Sequence, residues 1–280
     1  MNALLDIRNV TYSYPEQITR KGVAQAVLRN VNLHVQEGEY VAVLGHNGSG
    51  KSTLARLCNA LLIPDKGEVL VRGLNTHDVH LRRTIRDTVG MIFQNPDNQL
   101  IATIVEDDVA WSLTMRGFTP ELIADRVGTA LSMVGISELR QLPPHKLSGG
   151  QRQRVAIAGI LALCPHCIIA DEATSMLDPL SRREIVMLLH QLNKEQGLTI
   201  IQVTHLLEEA ALAQRIIVME QGQIVMEGTP AVLFADLQRL KALKLAIPEP
   251  IELASRLRDA GFPLSRNALT VKEIAQELCP

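Results

Sequence analysis

The stretch that decides the fold is Gly45-His46-Asn47-Gly48-Ser49-Gly50-Lys51-Ser52-Thr53. It follows Tyr40–Leu44, an almost wholly apolar run of the kind that forms a buried parallel strand. A helix is expected from about Ser52 to Leu62, before Pro64. A glycine-rich loop between a strand and a helix lets backbone N–H groups approach phosphate oxygens, and the helix dipole favours the negative charge. The stretch therefore predicts a phosphate-binding loop for a nucleoside triphosphate.

Within and beyond this loop, four side chains are candidates for the phosphate chemistry. Lys51 is placed to reach the β- and γ-phosphates, and Ser52 to ligate Mg²⁺. Downstream, the apolar run Cys167–Ala170 ends in two carboxylates. We expect Asp171 to hold Mg²⁺ through water and Glu172 to polarise the attacking water as a general base.

Two further polar residues follow apolar strand-like runs. Gln94 comes after Val89–Phe93, and His205 after Thr199–Thr204. Open α/β sheets bind their ligands at the carboxyl ends of the strands. We therefore assign both residues to the active site, with Gln94 also a metal ligand.

A second glycine-containing turn lies far from the first. Leu147-Ser148-Gly149-Gly150-Gln151 opens a predicted helix over Arg152–Leu163. Ser148 can cap that helix, whose N-terminus then presents N–H groups to an anion. One nucleotide cannot easily occupy two separate helix N-termini within one domain. A second copy of the chain, facing the first, resolves this difficulty.

Composition narrows the class of protein. The chain has 280 residues, a net charge of −2 and 3% aromatic residues, which argues against nucleic acid as a partner. The N-terminus lacks the apolar core of a signal peptide, and the apolar stretches are too short to span a bilayer. We therefore expect a soluble, cytoplasmic chain, and composition leaves open whether it docks on a membrane protein.

The order of strand-like and helical runs predicts an α/β sheet with additions. Leu4–Val10 and Val27–Val35 indicate strands of an N-terminal antiparallel β layer. Amphipathic runs at Val105–Met115 and Glu121–Val134 indicate an inserted helical subdomain, residues 96–160. We expect a main domain over residues 1–235 and a small C-terminal domain over residues 236–280.

Together these elements resemble the ATP-binding cassette (ABC) ATPases over roughly residues 4–234. The matching elements, in the family's usual order, are the phosphate loop, Gln94, Leu147–Gln151, Asp171-Glu172, Ser175-Met176-Leu177-Asp178 and His205. The resemblance implies a P-loop NTPase fold with an ABC-type core and a head-to-tail dimer. Each of two ATP molecules would lie between the phosphate loop of one subunit and Ser148–Gln151 of the other.

The same resemblance implies the individual contacts. Tyr14 would stack on adenine, with Tyr12 as the alternative, Asp178 would communicate across the dimer, and His205 would contact the γ-phosphate. The residues expected at the nucleotide are Tyr14, Gly45, Asn47, Gly48, Ser49, Gly50, Lys51, Ser52, Thr53, Ser148, Gly149, Gly150, Gln151 and Asp178.

Within that family, the segments 94–99, 105–109 and 171–179 and the C-terminal appendage resemble the A component of energy-coupling factor (ECF) transporters. The resemblance implies an importer of a vitamin or a transition-metal ion, with ATP and Mg²⁺ as cofactors. Its partners would be a second ATPase subunit, a transmembrane coupling protein and a membrane-embedded substrate-binding subunit. The second ATPase would be either another copy of this chain or a similar protein. The chain would then be peripheral, at the cytoplasmic face of the cell membrane.

Two alternatives remain open at this point. One is an exporter ATPase. The other is a soluble ABC ATPase acting in translation or DNA repair. By resemblance, such soluble chains usually carry two cassettes or a long coiled-coil insertion, neither of which this sequence shows.

Overall fold

Two β-sheets organise the molecule, which is described here from a computed structural model over residues 3–18, 24–265 and 270–278. The strands are β1 Ala3–Ile18, β2 Ala24–Gln36, β3 Tyr40–Leu44, β4 Lys66–Val71, β5 Leu74–Asn75, β6 Val89–Ile92, β7 Cys167–Asp171, β8 Thr199–Val203, β9 Arg215–Glu220 and β10 Gln223–Gly228. The helices are α1 Lys51–Cys58, α2 Arg82–Thr88, α3 Val105–Thr114, α4 Pro120–Met133, α5 Gly149–Leu161, α6 Pro179–Gln196, α7 Leu207–Ala210, α8 Pro230–Leu233, α9 Leu237–Ala242, α10 Glu249–Asp259 and α11 Val271–Leu278.

The larger sheet has six strands in the order β10-β9-β3-β8-β7-β6. Strands β9, β3, β8, β7 and β6 run parallel, and β10 pairs antiparallel with β9 at one edge. Because the carboxyl ends of parallel strands meet at one edge of a sheet, the segments that follow β3, β6, β7 and β8 are brought together there. This edge positions the candidate site.

The smaller sheet is antiparallel, in the order β2-β1-β4-β5. Its β1 and β2 form a long hairpin, longer than the two short strands that the sequence predicts, with several register shifts along the pairing. The predicted N-terminal antiparallel layer and the α/β fold class are both confirmed.

The central strand β3 shows how the two sides of the sheet are filled. Its side chains alternate, so that Tyr40, Ala42 and Leu44 join one hydrophobic cluster and Val41 and Val43 join another. The first cluster contains the helices α3 to α6, and the second contains α1 and the antiparallel sheet. A strand that is buried on both faces has a continuous apolar sequence, which explains why Tyr40–Leu44 is apolar throughout.

The predicted helix after the phosphate loop is wrong at its end. Helix α1 stops at Cys58, not at Leu62, because Ala60 adopts a left-handed conformation with φ of 55°. The N–H of Leu61 donates to the carbonyl of Arg56 at 2.9 Å, and that of Ala60 donates to Leu57 at 3.2 Å. This is a Schellman ending, which glycine usually provides. Since alanine occupies the position here, the sequence carries no signal for it.

The C-terminal helices are held in two ways. Leu240, Leu245 and Ile251 belong to the same hydrophobic cluster as the main sheet. Ala254 and Ile274, with Leu264, form a small separate cluster. The domain boundary near residue 235 stays a prediction.

The length and polarity of the helices decide whether any of them could span a membrane. The longest helix, α6, has 18 residues and carries several charged side chains. In the parts of the chain that the structure describes, no helix combines the length and apolar character needed to cross a membrane.

Candidate nucleotide-binding site

The loop between β3 and α1 leaves the start of the helix open. Gly50 occupies the N-cap position with φ of 104°, and no described side chain caps the helix. Gly48 is also left-handed, with φ of 82°. A β-carbon on Gly50 would lie 2.7 Å from a methyl carbon of Leu28. Glycine is therefore required there by both conformation and space, and the N–H groups of the first helical turn remain free for an anion.

Lys51 lies across this loop and is almost fully buried. Its Nζ donates to the carbonyls of Gly45 at 2.8 Å and His46 at 3.1 Å, and lies 3.7 Å from Glu172 Oε1. Burial lowers the pKa of Lys51, while the carboxylates of Glu172 and Asp171 oppose that shift. The ammonium group is thus held at the mouth of the loop, within reach of an anion bound there.

The candidate Mg²⁺ ligands converge from three segments. The hydroxyl of Ser52 donates to Asp171 Oδ1 at 2.7 Å. Burial raises the pKa of Asp171, and the Ser52 hydrogen bond and the charge of Arg56 act in the opposite direction. Gln94, Ser52 and Asp171 line one cavity of about 390 Å³. Hydroxyl, carboxylate and amide oxygens are the hard ligands that Mg²⁺ prefers, so the donor set fits this ion.

His205 lies next to Glu172, although only Glu172 is among the residues that line the two cavities. Glu172 follows β7 in a left-handed conformation, with φ of 50°, and its Oε1 lies 4.0 Å from His205 Nδ1. That buried nitrogen has no hydrogen-bond partner within the described residues. Glu172 Oε1 is therefore flanked by Lys51 on one side and by His205 on the other.

A cleft of about 910 Å³ opens above the loop. Tyr14 lines it, and its hydroxyl lies 3.2 Å from Thr53 Oγ1. Tyr12 is buried beneath, with its ring edge-on to that of Tyr14 at 5.1 Å between centroids. Of the two tyrosines left open by the sequence, only Tyr14 faces the cleft.

Several cleft residues carry no signal in the sequence. They come from the β1–β2 hairpin and the β9–β10 turn, and are Gln25, Ala26, Val27, Arg29 and Gln221. The N–H of Gly222 donates to the carbonyl of Ser49 at 3.0 Å, which ties the turn to the phosphate loop. These contacts join segments far apart in the chain, so no local pattern predicts them.

The second glycine turn, Ser148–Gln151, caps its own helix. Ser148 Oγ accepts from the N–H of Gln151 at 3.2 Å, and Gln151 Oε1 accepts from the N–H of Ser148 at 2.9 Å, which closes a capping box. Among the residues described, none of Ser148–Gln151 lines the cleft. Helix α5 begins at Gly149, earlier than the sequence predicts.

Asp178 lies beside this turn. Its Oδ1 accepts from the N–H groups of Leu180 at 3.1 Å and Ser181 at 3.0 Å and so caps α6. The hydrogen bonds from Ser181 lower the pKa of Asp178. A β-carbon on Gly150 would lie 2.9 Å from Ser181 Oγ, so glycine allows α5 and α6 to start in close contact. The structure thus brings the second glycine turn and Asp178 together.

Comparison with known proteins gives consistent results. Residues 28–175 match the family model for ABC transporters. The chain is 46% identical over 279 residues to the "Energy-coupling factor transporter ATP-binding protein EcfA1" of Caldanaerobacter subterraneus subsp. tengcongensis, with 100% of both chains covered.

Two solved structures are also similar. The first is cbiO1 from Clostridium perfringens, part of the ABC transporter complex cbiONQ, with a TM-score of 0.77 and 34% identity over 90% of this chain and 99% of that one. The second is a dimeric, post-hydrolysis structure of the ATP-binding cassette MJ0796 bound to ADP and Pi. It has a TM-score of 0.71 and 33% identity over 81% of this chain and 98% of that one.

Proposed function

The chain belongs to the ABC transporter ATPases and, within them, to the ATP-binding proteins of energy-coupling factor transporters, and we propose that it powers uptake of a vitamin or a transition-metal ion. It binds and hydrolyses ATP, as its family does. In the proposed assembly, two such ATPase subunits act with a transmembrane coupling protein and a membrane-embedded substrate-binding subunit. The pair of ATPases would lie at the cytoplasmic face of the cell membrane. Selectivity for the nutrient would reside in another subunit.

The proposed chemistry follows from the cleft. The N–H groups at the start of α1 and the ammonium group of Lys51 bind the β- and γ-phosphates of ATP. Ser52, Asp171 and Gln94 would hold Mg²⁺, which neutralises developing charge on the phosphates. Glu172 orients and polarises the attacking water, and His205 contacts the γ-phosphate. Lys51 and His205 flank one oxygen of Glu172, at 3.7 and 4.0 Å, which places the carboxylate between both phosphate-binding groups.

One observation carries the proposal of a dimer. The phosphate loop, Lys51 and Glu172 line the cleft, whereas Ser148–Gln151 lies outside its lining, as far as the described residues show. A second helix N-terminus with exposed Ser148 is then available to the nucleotide of a facing subunit. The two ATP molecules would lie at the interface, and Asp178 beside Gly150 would sense the partner.

We expect transport coupling through the segment after β6. This segment contains Gln94 and runs through the turn Pro96–Asn98, and the resemblance to ECF proteins makes it the groove for the coupling protein. Dimer closure on ATP and reopening after hydrolysis would move this groove and, with it, the membrane partner.

The first prediction tests the role of Glu172 as the general base. Glu172→Gln keeps the size of the side chain but removes the carboxylate, so turnover should fall by about 10²–10⁴-fold while ATP binding persists. The measurement is steady-state ATPase activity in the assembled complex, together with ATP affinity. The control is Glu208→Gln, at an exposed position in α7, which should retain activity. Undiminished turnover in Glu172→Gln would refute the assignment.

A further inference from the structure

A buried carboxylate lies outside the cleft and has no role in the chemistry described above. Glu209, in α7, is 4% exposed and does not contribute to the lining of either active-site cavity. A charged group is costly to bury unless it is paired and hydrogen-bonded. Its contacts therefore indicate what it does.

Glu209 joins two segments that are distant in the chain. Its Oε1 accepts from the hydroxyl of Thr174 at 2.6 Å, and its Oε2 accepts from the amide of Gln202 at 2.9 Å. Gln202 in turn accepts from the hydroxyl of Tyr40 at 2.5 Å. These four side chains are all buried. Burial and, to a smaller extent, the nearby charge of Glu209 raise the pKa of Tyr40.

The positions of these residues connect them to the site. Thr174 follows Glu172 by two residues, in the loop that leads to Asp178. Glu209 follows His205 by four residues, in the short helix that begins at Leu207. The Thr174–Glu209 hydrogen bond is thus a direct tie between the segment that carries Glu172 and the segment that carries His205.

A second, longer contact reaches the same carboxylate. Arg182 Nε lies 4.0 Å from Glu209 Oε1, and Arg182 Nη2 donates to the carbonyl of Leu177 at 3.4 Å. Leu177 directly precedes Asp178. The cluster around Glu209 therefore supports both ends of the loop, near Glu172 and near Asp178.

We propose that Glu209 is a positioning residue for ATP hydrolysis, which acts through Thr174 to hold Glu172 at its distance from His205. This inference rests on the proposed roles of Glu172 and His205. Glu209 does not touch the nucleotide in this account, so its loss should lower kcat and leave the affinity for ATP unchanged.

The experiment distinguishes the effect of losing the Thr174 hydroxyl from the effect of changing the volume of its side chain. Thr174→Val keeps the volume and removes the donor, whereas Thr174→Ser keeps the donor. In the assembled complex, we expect Thr174→Val to lower kcat by about tenfold or more, because small displacements of reacting groups are costly. Thr174→Ser should retain kcat within about twofold, and KM for ATP should stay unchanged in both. Glu209→Gln should also lower kcat, because Thr174 and Gln202 donate to different carboxylate oxygens and the NH2 group that replaces one of them cannot accept a hydrogen bond.

Thr199→Val is the matched control. Thr199 is also buried but lies at the start of β8, at the end of that strand away from His205, and its hydroxyl oxygen accepts from the N–H of Gly38 at 2.9 Å. It should lower the thermal unfolding midpoint as Thr174→Val does, with kcat within about twofold of the unmodified chain. The inference is overturned if Thr174→Val retains kcat, or if Thr174→Ser and Thr199→Val lose as much as Thr174→Val.

A parallel measurement on Glu172→Gln distinguishes failure of the role proposed for Glu209 from failure of the role proposed for Glu172. Loss of turnover in Glu172→Gln with full turnover in Thr174→Val would overturn only the role of Glu209. Retained turnover in Glu172→Gln would remove the premise and overturn both proposals.

Discussion

Two helix N-termini in this molecule look alike in sequence and differ in structure. Helix α1 starts at a left-handed Gly50 with no side-chain cap from the described residues, and its first turn opens into the cleft. Helix α5 starts at Ser148, whose side chain and that of Gln151 close a reciprocal cap. The first end is open to a ligand of its own chain. The second is already satisfied in part by its own side chains and projects an exposed serine.

In the proposed site, one chain would supply two unequal halves. We expect the open end to bind phosphate strongly, because several N–H groups and Lys51 converge on one space. At the capped end, Ser148 Oγ accepts a hydrogen bond and keeps its own proton to donate. We therefore expect the capped end to add a contact for a phosphate that is already bound by the partner subunit. Three substitutions test this division.

The largest effect is expected at the open end. Lys51→Met removes the ammonium group but preserves the length of the side chain, so ATP affinity of the isolated chain should fall by about a hundredfold. Binding of a fluorescent ATP analogue measures it. Lys66→Met, at an exposed position in β4, is the control and should bind normally. Affinity within about threefold of normal for Lys51→Met would break the comparison.

A smaller effect is expected at the capped end, and in a different quantity. Ser148→Ala should leave ATP affinity of the isolated chain unchanged and lower turnover of the assembled complex by about tenfold, because one hydrogen bond to a charged group is lost. Loss of the cap should also destabilise the chain by about 1 kcal/mol.

The control for the cap is Thr119→Ala. Thr119 caps α4 by accepting from the N–H of Leu122 at 3.5 Å, so its loss tests stability without touching either half of the site. Its turnover should remain normal. If Ser148→Ala instead weakens ATP binding to the isolated chain, the two halves belong to one subunit.

The smallest effect is expected at the rim of the open end. Tyr14→Ala should weaken ATP binding by about fivefold and leave pyrophosphate binding unchanged, because stacking on a base at an open rim contributes about 1 kcal/mol, the low end of the usual range. Tyr14→Phe should bind ATP normally, since its ring is retained. Tyr12→Phe is the companion control, because Tyr12 is buried and does not line the cleft. Equal weakening of pyrophosphate would show that Tyr14 acts on the phosphate loop itself, through Thr53.

The agreement between sequence and structure is closest where the interactions are local. The strand Tyr40–Leu44, the glycine loop and the capping role of Ser148 were all predictable, because each depends on neighbouring residues. The end of α1 was not, since Ala60 takes a conformation that its side chain disfavours. Helix ends depend on what the following residues pack against, and that is not written in the local pattern.

The candidate site likewise contains residues that the sequence predicts and residues that only the tertiary structure brings to the cleft. Lys51, Ser52, Asp171 and Glu172 were identified from their places after apolar strands, and the structure brings them within a few ångströms of one another. The rest of the cleft was not identified, because the β1–β2 hairpin reaches it only through the tertiary fold.

The sequence by itself determined that this chain has a phosphate loop, two carboxylates after β7 and a second glycine turn. Those features follow from residue type and spacing, since glycine conformation and helix dipoles act over a few residues. Only the tertiary structure decided that Tyr14 rather than Tyr12 faces the cleft, and that Glu209 binds Thr174. The reason is physical: burial and hydrogen bonding between distant segments depend on how the sheets and helices pack, which no local stretch specifies.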